Sequence, residues 1–320
     1  MKKKLVLAMA ATMAITSCAV PVLADDAAAE GGKIGISMPT QSLERWNRDG
    51  SYLEEQFKAA GYDVELTYSD NETDRQVNDI QNLISDGVNL LVIAAIDGEA
   101  LNTVMDEAAD AGIPVIIVDR MVDVSDDSLY TAWVGSNFKL EGQKAMAWLD
   151  AYLEAKGRGD EEINLVDIQG TIGASAQIGR TEGFDEAVEA HDNWTTLAQQ
   201  SGEFTQAKGQ EVMESILKQS GDDIDVVYCE NDNEAFGAID AIEAAGKTVG
   251  SDIANGEIMV ISFDTTHAGL QDVLDGKIEC DVECNPLHGP RAEELIKKLE
   301  AGEDVDKQNY VDEEIFAHDD

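Results

Sequence analysis

Short apolar runs alternate along this chain with longer stretches whose apolar positions recur every three or four residues. Lys33 to Met38 predicts a first strand. After Pro-Thr-Gln-Ser and the stretch Leu43-Glu-Arg-Trp-Asn-Arg48, Leu53 and Phe57 form an i, i+4 apolar pair on a helix that stops at Gly61. Val64 to Tyr68 alternates as a second strand. From Thr73 to Ser85, Val77, Ile80, Leu83 and Ile84 share one helical face. Leu90 to Ala95 is a third strand and Leu101 to Ala111 a helix. The Gly112-Ile-Pro114 turn then leads into Val115 to Val118, an apolar β-branched run bounded by turn signals. That is the pattern of a strand buried on both faces of a parallel sheet.

The same alternation runs a second time. Trp133 to Asn137 ends a strand and Leu140 to Ala155 is helical. Ile163 to Ile168 is a strand, followed by the Gly-rich turn Thr171-Ile-Gly-Ala-Ser175 and a helix near Ala176 to Ala190. Leu197 starts an edge strand, Gln206 to Gln219 is a helix, and Asp225 to Cys229 is a strand. A helix from Ala235 to Ala245 and the strand Ile258 to Phe263 complete the unit. The tail holds one helix, Pro290 to Ala301, and a weak final strand. Two tandem units at βα spacing predict an α/β fold of doubly wound parallel sheets with right-handed crossovers.

Composition changes this picture little, and charge somewhat more. At 320 residues the chain can form two domains with proper cores. Its 22 Lys+Arg against 65 Asp+Glu give a formal charge of −43, which disfavours nucleic acid and anionic lipid as partners. The charges are spread over helix faces, as on a solvated surface.

Residues 1–24 read as targeting: Lys2-Lys3-Lys4 is a positive n-region, and Leu5 to Ser17 is an apolar h-region too short for a permanent membrane helix. Two exits compete. Val22-Leu-Ala24 fits a signal-peptide cleavage site, whereas Ile15-Thr-Ser-Cys18 resembles the bacterial lipobox, which would end the signal at residue 17 and lipidate Cys18. Residues 25–32 read as a tether, and either exit implies an exported chain. Cys229, Cys280 and Cys284 show no metal spacing. Cys280 and Cys284, four apart in a predicted strand, span roughly 13 Å and cannot bridge each other. Buried free thiols, or one bridge to Cys229, remain.

The chemistry collects after the strands. Asp119-Arg120 follows Val115 to Val118, Arg45-Trp46 follows the first strand, and Asn137, Ser175 with Arg180, Asn231-Asp232, Asp264 and Asn285 follow others. In open α/β sheets ligands lie outside the carboxyl ends of the strands. Asp and Asn there are often only helix caps or turn formers. So many planar hydrogen-bonding groups beside an aromatic ring, however, suit a sugar: its hydroxyls donate and accept, and its C–H faces stack on rings.

At these residues the sequence resembles the type I periplasmic sugar-binding proteins of bacterial ABC importers, the family of the ribose-, xylose- and galactofuranose-binding proteins. Leu43-Glu-Arg-Trp46 is similar to the xylose binder, and Val118-Asp-Arg-Met121 to the Asp-Arg pair shared by all three. Ile168 to Ser175, Arg180 to Phe184, Gln200 to Thr205 and Lys208 to Ser215 are most similar to the galactofuranose binder. Glu230 to Ala238 and Ser262-Phe-Asp264 match later ligand strands. The resemblance covers about residues 33 to 312. It implies two Rossmann-like lobes joined by a three-segment hinge, with crossings near Asn137, Cys284-Asn285 and Asp312-Glu313. The first lobe would hold 33–137 and 285–312, the second 138–284 and 313–320.

It also implies a monosaccharide in the cleft, either a galactofuranose- or galactose-like hexose or a pentose. Arg45, Trp46, Asp119 and Arg120 would bind it from the first lobe, Asn137, Ser175, Arg180, Asn231, Asp232 and Asp264 from the second or the hinge side. Where the ribose binder has a Gln two residues before a Pro this chain has Cys284, with Glu283 or Asn285 to substitute. The implied partners are an ABC permease and its ATPase. No cofactor is expected, the chain is expected to be a monomer, and a lipid anchor would be its one membrane contact.

Rival readings are weaker. His191, His267, His288 and His318 form no metal or nucleophile motif, and Asp119 beside Arg120 would stay ionised rather than act as an acid. A repressor of this fold would need an N-terminal helix-turn-helix and a basic surface. A sensor presenting sugar to a receptor would share every feature above.

Overall fold

The computed structural model describes residues 31–318. The targeting segment, Cys18 and most of the tether lie outside the described residues. Two sheets organise the rest. The first has the order β12-β5-β4-β3-β1-β2, built from β1 (Lys33–Met38), β2 (Asp63–Tyr68), β3 (Leu90–Ile93), β4 (Val115–Val118), β5 (Ala132–Gly135) and β12 (Gln308–Tyr310). All its pairings are parallel. The second has the order β13-β11-β10-β8-β6-β7: β6 (Ile163–Gln169), β7 (Trp194–Ser201), β8 (Val226–Cys229), β10 (Glu257–Asp264), β11 (Cys280–Glu283) and β13 (Ile315–Ala317), with β9 (Thr248–Val249) beside β10. Only β13 runs antiparallel, against β11. Both sheets are doubly wound α/β layers, as the alternation predicts.

Helices cover both faces of each sheet, so β3, β4, β5 and β8 are buried along their whole length and read as continuous apolar runs. Beside the first sheet lie α1 (Glu44–Ala59), α2 (Thr73–Ser85), α3 (Asn102–Asp110) and α9 (His288–Glu300). Beside the second lie α4 (Phe138–Ala155), α5 (Ser175–Ala190), α6 (Gln206–Ser220), α7 (Asp232–Ala244) and α8 (His267–Leu274). Each sheet face has its own apolar cluster. A fifth, small cluster (Phe138, Ala174, Ala176, Phe204, Cys284) sits between the sheets. The chain passes from one sheet to the other after β5, after β11 and after β12.

Several boundaries differ from the pattern-based expectation. Helix α1 begins at Glu44, because Leu43 offers no side-chain cap to mark a start, so Arg45 and Trp46 lie on its first turn. Helix α7 begins at Asp232, capped by Asn231. Helix α8 has no counterpart in the sequence reading: it is eight residues long and buries only Gly269 and Val273. The tail supplies two strands where one was expected, one to each sheet.

Candidate ligand site between the lobes

Where the carboxyl ends of the two sheets meet, they line a tight cleft whose free volume, about 20 Å³, holds little more than a water molecule, so a ligand enters only if the wall side chains give way. Leu43, Arg45 and Trp46 reach it from α1, Asp119 and Arg120 from the end of β4, and Phe138 from α4. Ala176 and Arg180 come from α5, Phe204 from the β7–α6 turn, Asn231 from just after β8, Asn233 from the first turn of α7, Asp264 from the end of β10 and Cys284 from just after β11.

Three arginines and two carboxylates, Asp119 and Asp264, dominate the wall, with Glu141 behind Arg180. Arg45 donates through Nη2 to Asp119 Oδ2 and through Nη1 to the Cys284 carbonyl, and Nη1 lies 3.5 Å from Asp264 Oδ1. Arg180 donates from Nε to Glu141 Oε2 at 2.8 Å and from Nη1 to the Glu230 carbonyl. Its Nη2 lies 3.6 Å from Asp264 Oδ1 and makes no hydrogen bond. Arg120 is the least satisfied, with Nε and Nη1 buried and unpartnered. Its guanidinium carbon stands 4.9 Å from the Trp46 ring centre and 4.6 Å from that of Phe204.

Burial alone would raise the Asp119 carboxyl, but Arg45, then His288 and Arg120, hold it well below the usual carboxylate range. Burial raises Asp264, with Arg45 and Arg180 offsetting part of the effect. Burial also pushes Arg120 down to about 10, still a cation at neutral pH.

Asp119, Phe204 and Asp264 have left-handed backbone, with φ of 57°, 58° and 106°. Asp tolerates this, but for a bulky ring it is an outlier that only a firm surround maintains. The surround is visible. Trp133 Nε1 donates to the Asp119 carbonyl at 2.8 Å and the Asp119 N–H donates to the Val134 carbonyl. Phe204 N–H donates to Glu234 Oε1 at 2.8 Å. The Phe204 ring lies on Gly170, where an added Cβ would sit 2.0 Å from Cζ.

Of the expected ligand residues, Arg45, Trp46, Asp119, Arg120, Arg180, Asn231 and Asp264 come together on the wall, and four do not. Asn137 caps α4, its Oδ1 accepting from Leu140 N–H at 3.1 Å. Ser175 Oγ accepts from Met121 N–H at 2.9 Å and so joins α5 to the end of β4. Asp232 is fully buried, accepting from Ser262 Oγ and from the amide and hydroxyl of Thr266. Asn285 is tied to Glu283, Leu287 and Arg291. Of the crossing residues 283–285, Cys284 is the one that reaches the wall, while Glu283 and Asn285 line a neighbouring groove. Trp46, expected to offer its face to a sugar, has that face against Arg120. Asn231 serves the wall and caps α7 at once.

Leu43, Phe138, Ala176, Phe204, Asn233 and Cys284 were not anticipated as wall residues. Phe204 carried the clearest signal, a lone aromatic in the polar turn Gly-Glu-Phe-Thr. Cys229, Cys280 and Cys284 are buried free thiols. Among the described residues one group, Glu141, Cys284 and Glu313, brings three potential metal-ligating atoms within 4.8 Å. Arg180, Ser136 and Asn285 already bond its carboxylates, which makes it a hydrogen-bonded knot. No helix among the described residues is long and apolar enough to cross a membrane.

The model of the periplasmic binding protein domain matches residues 34–287. The chain is 34% identical over 262 residues to the galactofuranose-binding protein YtfQ of Escherichia coli, covering 81% of this chain and 79% of that one. It is similar to a Mycobacterium smegmatis protein solved in complex with β-D-fucofuranose, with a TM-score of 0.83, 33% identity and coverage of 89% and 91%. It is also similar to the periplasmic component of a Shewanella arabinose ABC transporter bound to α- and β-L-arabinofuranose, with a TM-score of 0.81, 30% identity and coverage of 89% and 92%.

Proposed function

The chain belongs to the periplasmic binding protein family, and from that premise we propose that it is the sugar-binding component of an ABC importer. Its ligand is a neutral monosaccharide, and we favour a furanose, a hexose or pentose in the five-membered ring form. The observation that carries this is the charge balance of the wall. Arg45, Arg120 and Arg180 are matched by Asp119, Asp264 and Glu141, while Arg120 Nε and Nη1 and Arg180 Nη2 remain without hydrogen bonds. An anion would call for net positive charge. A polyol instead uses fixed acceptors and spare donors together. Relatives that bind galactofuranose, fucofuranose and arabinofuranose support the ring form.

Hinge closure around a ligand is the established motion of periplasmic binding proteins. Here Arg120, clamped between Trp46 and Phe204, would slide to the sugar's edge and give its place to the ring, whose C–H faces then meet the two aromatics. Asp119, held ionised, accepts hydrogen bonds from hydroxyls and donates none, and we read the site as that of a binder. Export through the segment before residue 25, with or without a lipid on Cys18, and delivery to a permease and its ATPase belong to this proposal.

The test is a thermal-shift screen against sugars in pyranose and furanose forms. A ligand at 100 times its dissociation constant adds roughly 2.7 kcal/mol. If no neutral sugar raises the melting temperature, the proposal fails.

A further inference from the structure

Each of the three passages between the sheets brings one potential metal ligand to a common point. Glu141 lies on α4, just past the passage after β5, Cys284 begins the passage after β11, and Glu313 lies on the passage after β12. One ligand atom from each, two carboxylate oxygens and a sulfur, lies within 4.8 Å of the others. The three are far apart in the sequence, so no spacing announces them.

The hydrogen bonds of this knot leave it incomplete. Arg180 Nε donates to Glu141 Oε2 at 2.8 Å, while Glu141 Oε1, on a side chain 1% exposed, has no partner. A buried carboxylate oxygen without a donor carries its full cost of desolvation. Ser136 Oγ and Asn285 N–H both donate to Glu313 Oε1. Lys144 Nζ lies 2.6 Å from the Glu313 main-chain carbonyl, to which it donates. Cys284 Sγ has only long contacts, 3.4 Å to Ser136 Oγ and 3.8 Å to Asp119 Oδ2. Two neighbouring carboxyl groups thus have one guanidinium between them, and a buried oxygen points at nothing.

We propose that Glu141, Cys284 and Glu313 form a binding site for one divalent transition-metal ion of the zinc type. A sulfur beside carboxylate oxygens suits zinc, whereas calcium and magnesium take oxygen alone. Zinc with ligands at about 2.0–2.3 Å would draw the three atoms to roughly 3.5 Å of one another, a movement of about 1 Å or less for each side chain. Two carboxylates and a thiolate then balance the dication together with Arg180. Arg180 on Glu141, and Ser136 and Asn285 on Glu313, orient the ligands from behind, as partners of metal ligands commonly do. Glu313 is half-buried, so the ion enters from its side and water completes the shell. In the metal-free chain a proton between the two carboxyl groups takes the ion's place. Bound there, the ion ties all three passages together.

The test needs no sugar, so its outcome is independent of the functional reading. The full chain is stripped with chelator, equilibrated with zinc and desalted, and the retained metal is counted by atomic emission, for the wild type, Cys284→Ser and Glu313→Gln. The expected result is one zinc per wild-type chain, a higher melting temperature with zinc, and affinity at least about tenfold weaker in both variants. Cobalt in place of zinc should give the wild type a sulfur-to-metal charge-transfer band that Cys284→Ser lacks. Zinc held weakly by exposed carboxylates would be the same in all three proteins, and retention that does not differ among them overturns the proposal. So does a wild-type cobalt spectrum without the sulfur band, a result that stands even if a variant fails to fold.

Discussion

Arg120 and Asp119 are neighbours in sequence and in the cavity, yet removing the first should leave stability nearly unchanged while removing the second should lower it. Arg120 is 4% exposed and keeps two buried N–H donors unsatisfied. Replacing it by Met removes those donors, at about 1–2 kcal/mol each. It also removes two cation–π contacts of about 1–2 kcal/mol each. Attraction to Asp119 and Asp264 is lost together with repulsion from Arg45 and Arg180. These contributions nearly cancel, so Arg120→Met should lie within about 1 kcal/mol of the wild type in urea unfolding while sugar binding is lost.

Asp119→Asn preserves shape and tolerates the positive φ, but it takes from Arg45 its closest carboxylate and leaves only Asp264 at 3.5 Å. Breaking a buried pair in this way costs about 3–5 kcal/mol. Unfolding by urea with fluorescence and circular dichroism together, read beside calorimetry, decides the matter. A loss above about 2 kcal/mol in Arg120→Met would make Arg120 a structural cation, and a change below about 1 kcal/mol in Asp119→Asn would undo the charge-balance argument.

Gly170→Ala should push the Phe204 ring off its seat, since the new Cβ would start 2.0 Å from Cζ. Affinity should fall about tenfold or more with a stability loss of about 1–3 kcal/mol, and unchanged affinity by calorimetry would show that the ring position is immaterial. Stability should also fall with rising pH. Burial raises Asp232, beside Asp264, to about 7, and it raises Glu313 to about 9. Both exceed the unfolded value near 4. The folded form then holds protons the unfolded chain has released, and that stabilisation is lost progressively as pH climbs through 7 and 9. Melting temperature by calorimetry should be higher at pH 5 than at pH 9, and the reverse order would contradict the carboxyl assignments.

The β4 run and the pair that ends it show what the sequence makes legible. Four β-branched residues between turn signals can hardly be anything but a doubly covered strand, and Asp119-Arg120 then has to stand at a carboxyl end. The same logic places Arg45, Arg180, Asn231 and Asp264. It fails for Asn137, Ser175, Asp232 and Asn285 because a small polar residue after a strand has two outlets, a ligand or the nearest exposed backbone amide. Which one wins depends on chain directions that only the tertiary structure sets. Phe138 looks like an ordinary core residue in sequence, while Phe204 stands out as a lone aromatic in a polar turn; the close seat offered by Gly170 and the left-handed backbone bring its ring to the wall. The first turn of α1 hides because no cap announces it, and α8 because its apolar stripe is too thin.

The tail strands carry a consequence for how this molecule is made. Strand β12 completes the first sheet from a position more than 170 residues after β5, its neighbour there, and β13 completes the second by pairing with β11. Neither lobe is therefore a continuous stretch of chain, and neither can finish its sheet before residues 308–317 have been synthesised. Contacts so distant in sequence form slowly. A polypeptide emerging from the ribosome would stay without a completed lobe until those residues are made, a delay that would suit the export proposed above.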